Sequence, residues 1–89
     1  MPLSDRDRAL LVFEAQSVVA PGRRRSGAKE EAIRAELGMP PARYYQLLGR
    51  LIDTADALEF DPMLVRRLRR MRDEREAVRA ARVTRSASS

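Results

Sequence analysis

The chain has 89 residues, 44% apolar and 35% charged, with 18 basic against 13 acidic side chains and a net charge of +5. That length fits one small domain near the lower limit for a self-sufficient core, and thirteen alanines beside only four aromatics, Phe13, Tyr44, Tyr45 and Phe60, make that core modest. The absence of cysteine and histidine excludes disulfides, Cys/His zinc sites and a Ser-His triad, while no run approaches the roughly 18 apolar residues of a membrane span and no secretory h-region opens the chain.

Ser4 is placed to cap a first helix, with Asp5 and Asp7 favoured at its positive end. Ala9-Leu10-Leu11-Val12-Phe13 covers most of a helix circumference, so this element is predicted to be a buried brace with Leu10 and Phe13 in the core. It should end near Val19, where Ala20-Pro21-Gly22 breaks the pattern. The loop over residues 21–27 carries Arg23, Arg24 and Arg25, which suit either a solvated loop or a contact with a nucleic-acid backbone or minor groove.

Ser26 is a candidate cap for a second helix with Ala32, Ile33 and Leu37 on one face. Gly38 can take the left-handed conformation that ends a helix. A third helix is then predicted over residues 41–53, because Pro40 and Pro41 suit a helix start and Tyr44, Leu47, Leu48, Leu51 and Ile52 repeat at i, i+3, i+4, i+7, i+8. Two helices around a tight turn are the layout of a helix-turn-helix DNA reader. The face opposite the apolar stripe holds Ala42, Gln46 and Gly49, flanked by Arg43, Tyr45 and Arg50. Arg can pair with guanine or clamp a phosphate, Gln can pair with adenine, and Tyr45 can reach a phosphate or cover the core. Arg34 stands four positions before the turn glycine, where such motifs often have a small residue at the helix crossing.

Residues 53–60 form a short helix or turn, and Asp61-Pro62 is a cap and start signal. In the last helix Leu64, Leu68 and Met71, with Val65 beside them, should dock on the core. The same face then reads Arg75, Val78 and Arg82, so the helix should project or fray from about Glu74, with residues 86–89 disordered. A body over residues 1–73 and a basic extension over 74–89 follow.

Charge is segregated along the chain. Residues 1–61 carry nine basic and ten acidic side chains, whereas nine arginines from residue 62 onward face only Asp73, Glu74 and Glu76. A GC-rich genome would raise arginine everywhere; the segregation instead marks an arm for a polyanion. Arg66, Arg67, Arg69 and Arg70 are its candidate phosphate contacts. The carboxylates alternate with basic residues as on solvated helices, and a small helical chain offers little room for a pocket. No enzyme activity, cofactor or small-molecule ligand is therefore expected.

The runs Gly27-Ala28-Lys29-Glu30-Glu31-Ala32-Ile33-Arg34, Ala42-Arg43-Tyr44-Tyr45-Gln46-Leu47-Leu48 and Asp61-Pro62-Met63-Leu64-Val65-Arg66-Arg67-Leu68-Arg69 resemble a family of small uncharacterised actinobacterial helix-turn-helix proteins. Some members are described as nucleoid-associated DNA-binding proteins. The resemblance implies a helical DNA-binding domain with chromosome-organising or regulatory roles, and it sets Arg43, Tyr44, Tyr45 and Gln46 at the start of the recognition helix. Pro40 stands where the family usually has a Ser cap.

The expected fold is all-α, a small domain of four to five helices containing a helix-turn-helix, with a projecting basic C-terminal helix. The expected function is DNA binding of low sequence specificity, nucleoid-associated or in transcription regulation, in the cytoplasm. Double-stranded DNA is the expected partner, with a second copy of the chain suggested by the small core and no membrane. The alternative is a protein-interaction module that docks on the transcription machinery or another acidic protein.

Overall fold

The structure, a computed structural model, describes residues 2–19 and 27–88, and these form helices without any strand. In chain order they are α1 (Asp5–Val19), α2 (Ala28–Ala32) running straight into a π-helical turn (Ile33–Leu37), α3 (Pro41–Leu51), α4 (Ala55–Phe60) and α5 (Pro62–Ser88). No described helix is long and apolar enough to cross a membrane. Arg23, Arg24 and Arg25, and Ser26, the expected cap of the second helix, lie outside the described residues.

The start of α1 is fixed by two reciprocal hydrogen bonds. The Asp7 backbone N–H donates to Ser4 Oγ at 3.0 Å, and the Ser4 N–H donates to Asp7 Oδ2 at 3.3 Å, which satisfies two amides that lack helical partners. The helix braces the core through the predicted Leu10 and Phe13, but its apolar run is not buried throughout. Leu10, Leu11, Phe13 and Glu14 are buried, but Ala9 and Val12 are exposed, because only one side of α1 meets other helices.

At the second helix the cap is Gly27, in the left-handed region at φ 83°. An i→i+5 turn follows in place of a continuous α-helix, and within it Ile33 is fully buried and Leu37 half-buried against the core. Gly38 closes the segment at φ 64°, ψ 31°, its N–H donating to the Arg34 carbonyl at 3.1 Å. Arg34 itself is exposed, while Ile33 and Leu37 of the same turn pack in and against the core.

Helix α3 begins at Pro41 and ends at Leu51, two residues short of the predicted boundary, since Ile52 and Asp53 turn back to let α4 start. Thr54 caps α4: its hydroxyl accepts from the Ala57 N–H at 3.1 Å and donates to the Leu51 carbonyl at 2.7 Å. Asp61 caps α5 through the Leu64 N–H at 3.2 Å.

One core joins the elements: Leu10, Leu11 and Phe13 of α1, Ile33, Tyr44, Leu48 and Leu51 of α3, Ile52, Ala57, and Leu64, Val65 and Leu68 of α5. Met71, predicted to extend the stripe of α5, is 41% exposed; the body that α5 packs on ends one turn earlier. Beyond Arg72 every described side chain of α5 is exposed, and the helix continues through Ser88. Residues 86–88 continue the helix, as no glycine or proline follows Pro62 to stop it. The projecting end raises the radius of gyration to 15.0 Å, where a compact chain of this length would have about 12 Å.

Candidate nucleic-acid interface

Helix α3 has two chemically opposite sides. Tyr44, Leu48 and Leu51 point into the core, and Ala42, Arg43, Gln46, Gly49 and Arg50 are exposed. Arg43, Gln46 and Arg50 have no hydrogen bond or ion pair among the described residues, so their donors and acceptors are available to a partner. Tyr45 sits at the boundary, 44% exposed.

The orientation of this face is held from behind by a buried polar network that the apolar periodicity of the sequence does not reveal. Glu14 of α1 is 6% exposed; it accepts the Tyr44 hydroxyl hydrogen bond and pairs with Lys29 Nζ at 2.9 Å. Burial first, and then the Glu14 carboxylate, push the Tyr44 phenol far above its ordinary pKa and keep it protonated. The Lys29 ammonium lies 5.9 Å from the centroid of the Tyr44 ring and 5.5 Å from that of Tyr45, within cation–π range. Phe13 packs edge-on against Tyr44 at 5.5 Å, and Tyr44 against Tyr45 at 5.1 Å. Three helices therefore converge on Tyr44, which fixes how α3 is rotated about its axis. A signal was present: a tyrosine inside an apolar stripe needs a partner for its hydroxyl, and Glu14 shares the inward face of α1 with Leu10 and Leu11.

Two arginines fasten α5 to the end of α3. Arg69 Nε donates to the Ile52 carbonyl at 2.6 Å, which supplies a partner to the C-terminus of α3. Arg72 Nη1 meets Asp53 Oδ1 at 2.8 Å, and its Nε meets Asp73 at 3.4 Å. Between the two helices runs an open groove of about 290 Å³, floored by Leu48, Ile52 and Leu68 and edged by Tyr45 and Gly49 on one side and Arg72, Arg75 and Arg79 on the other.

The sequence-predicted site residues thus separate into groups. Ala42, Arg43, Gln46 and Arg50 share the outer face of α3 with Tyr45 at its edge. Arg69 is half-buried in its contact with Ile52. Arg66 and Arg70 are exposed around a shallow depression with Asp73, Glu74 and Ala77, two positions from Leu68 and so roughly 200° around the helix from the docked side. Arg67 is exposed. The arginines that edge the groove beside α3 are Arg72, Arg75 and Arg79, outside the predicted set. Their signal was the spacing itself, since 72, 75 and 79 continue the register of Leu64 and Leu68 at i+3 and i+4. Among the described residues no cluster of three or more acidic side chains could hold a metal ion.

No curated protein and no solved structure matches the chain. A family model described as "Protein of unknown function (DUF3263)" matches residues 2–80, which takes in the capped start of α1, the Gly38 turn, α3 and the part of α5 that lines the groove. The match covers most of the 89 residues, and the chain belongs to the DUF3263 family.

Proposed function

We propose that the protein binds double-stranded DNA with low sequence specificity, as a nucleoid-associated protein or a transcription regulator. In this reading α2, the Gly38 turn and α3 act as a helix-turn-helix, with α3 entering the major groove. The observation that carries it is the outer face of α3: Arg43, Gln46 and Arg50 exposed and without partners of their own, on a helix whose rotation is fixed from behind by Tyr44, Glu14 and Lys29. Arg43 and Arg50 suit guanine edges or phosphates and Gln46 suits adenine. With only three base-reading side chains and an excess of arginine, backbone contacts outweigh readout. Arg66, Arg67 and Arg70 of α5 add positive charge around the site, while Arg69 serves to hold α5 against α3.

Fluorescence anisotropy with mixed-sequence duplex DNA over a salt series tests this. If about six phosphates are neutralised, the logarithm of affinity should fall with the logarithm of salt at a slope of roughly five. Arg43→Ala with Gln46→Ala should narrow the affinity differences among sequences while leaving binding to random duplex largely in place. Absence of duplex binding, or a flat salt dependence, would overturn the reading.

A further inference from the structure

The groove between α3 and α5 holds two features that the fold does not need. The first is Gly49. It lies inside α3 with no positive φ, and a Cβ added there meets no atom within 4 Å. Neither backbone conformation nor packing calls for glycine, although glycine in a helix interior costs about 0.5–1 kcal/mol relative to alanine. The second is the pair Arg75 and Arg79. These stand one turn apart on the side of α5 that edges the groove, a like-charge i, i+4 spacing that weakens a helix, and neither pairs with a carboxylate among the described residues. Both features become useful once something anionic, and wide enough to touch the α3 backbone, lies in the groove.

We propose that this groove seats one sugar–phosphate backbone of a DNA duplex, with Gly49 as the point of closest approach and Arg75 and Arg79 as the clasp for its phosphates. This rests on the DNA-binding reading above and adds which surface of the protein takes the flanking strand. The apolar floor of Leu48, Ile52 and Leu68 and the ring of Tyr45 face the deoxyribose carbons. Among the described lining residues Glu76 is the one carboxylate, against Arg72, Arg75 and Arg79, so the lining favours an anion. Arg72, held by Asp53, anchors the wall and leaves Arg75 and Arg79 to close on the strand.

The test uses the full chain, a mixed-sequence duplex, thermal melts and sedimentation. Gly49→Ala should melt at the same or a higher temperature than the wild type and yet bind the duplex more weakly. Gly49→Leu, whose side chain fills the point of approach, should lose affinity by about tenfold, the usual scale of steric overpacking. Arg75→Ala with Arg79→Ala should lower the salt slope by about two, close to one per phosphate contact. If the wild type binds and both Gly49 variants bind equally well, the groove proposal fails while the DNA reading stands; if the wild type does not bind, both fail. A wild-type dimer that Gly49→Leu abolishes would show a second copy of the chain as the occupant and would also overturn the proposal.

Discussion

Two glycines in this chain respond to alanine in opposite ways. At Gly38 the backbone sits at φ 64°, where an L side chain costs roughly 1–2 kcal/mol; Gly38→Ala should destabilise by about that amount in a denaturant melt, although no atom lies within 4 Å of the new Cβ. The strain is torsional, so Gly38→Asn should recover part of it. At Gly49 the same change relieves a helix interior and should stabilise the fold by about 0.5–1 kcal/mol. The buried pair Glu14 and Tyr44 makes a second prediction at this scale. Glu14→Ala strips the Tyr44 hydroxyl of its partner, which should cost about 1–3 kcal/mol, and the loss should be smaller in a Tyr44→Phe background because no buried hydroxyl is then orphaned. Folding raises the Tyr44 pKa above that of the unfolded chain. Its contribution is therefore complete below the ordinary phenol value of about 10 and is lost as pH climbs above it. Melts between pH 9 and 11 should show this alkaline decline in the wild type and a weaker one in Tyr44→Phe, with Tyr45 still present in both.

At the scale of elements, short helices here depend on their ends. Helix α4 is only six residues long, too short to hold by propensity, and Thr54 secures it while also tying it to α3 through the Leu51 carbonyl. Thr54→Ala should cost about 0.5–2 kcal/mol, measured by chemical denaturation, whereas Thr54→Ser should stay near the wild type. Sequence was a good guide to where elements begin when a side chain does the capping: Ser4 and Asp61 were both readable. It was a poorer guide at Gly27, where the cap is backbone geometry, and it gave no hint of the π turn over Ile33–Leu37. Periodicity identified the buried stripe of α3 because five positions repeat without a gap; the five-residue apolar run in α1 pointed to Leu10 and Phe13 as core but could not say that Val12 would stay exposed, because such a run records hydrophobicity and not the number of neighbours.

For the whole molecule the main division lies within α5. The segment after Asp73 is exposed throughout its described side chains, so a chain ending at Asp73 keeps the core residues Leu64, Val65 and Leu68 together with Arg69 and Arg72. It should melt within a few degrees of the full chain and, in small-angle scattering, shrink from the 15.0 Å radius toward about 11 Å. It should also bind duplex DNA more weakly with a shallower salt dependence, having lost Arg75, Arg79, Arg82 and Arg85. A melt that collapsed on truncation would instead make the arm part of the stable body.

The sequence by itself determined the helical class, the turn at Gly38, the two-sided character of α3 and the segregation of charge into the C-terminal third, since each follows from local propensity or from the 3.6-residue period. It could not determine which arginines stand together. Arg69 and Arg72 are spent on Ile52 and Asp53, Arg66 and Arg70 lie around the helix from the docked side, and Arg75 and Arg79 edge the groove beside Gly49. That division depends on how α5 is rotated against α3, and the rotation is set by contacts between residues distant in sequence: Leu68 in the core, the Ile52 carbonyl and the Asp53 carboxylate. Likewise, the partner of Tyr44 lies thirty residues away at Glu14, a separation that no local pattern encodes and only tertiary packing closes.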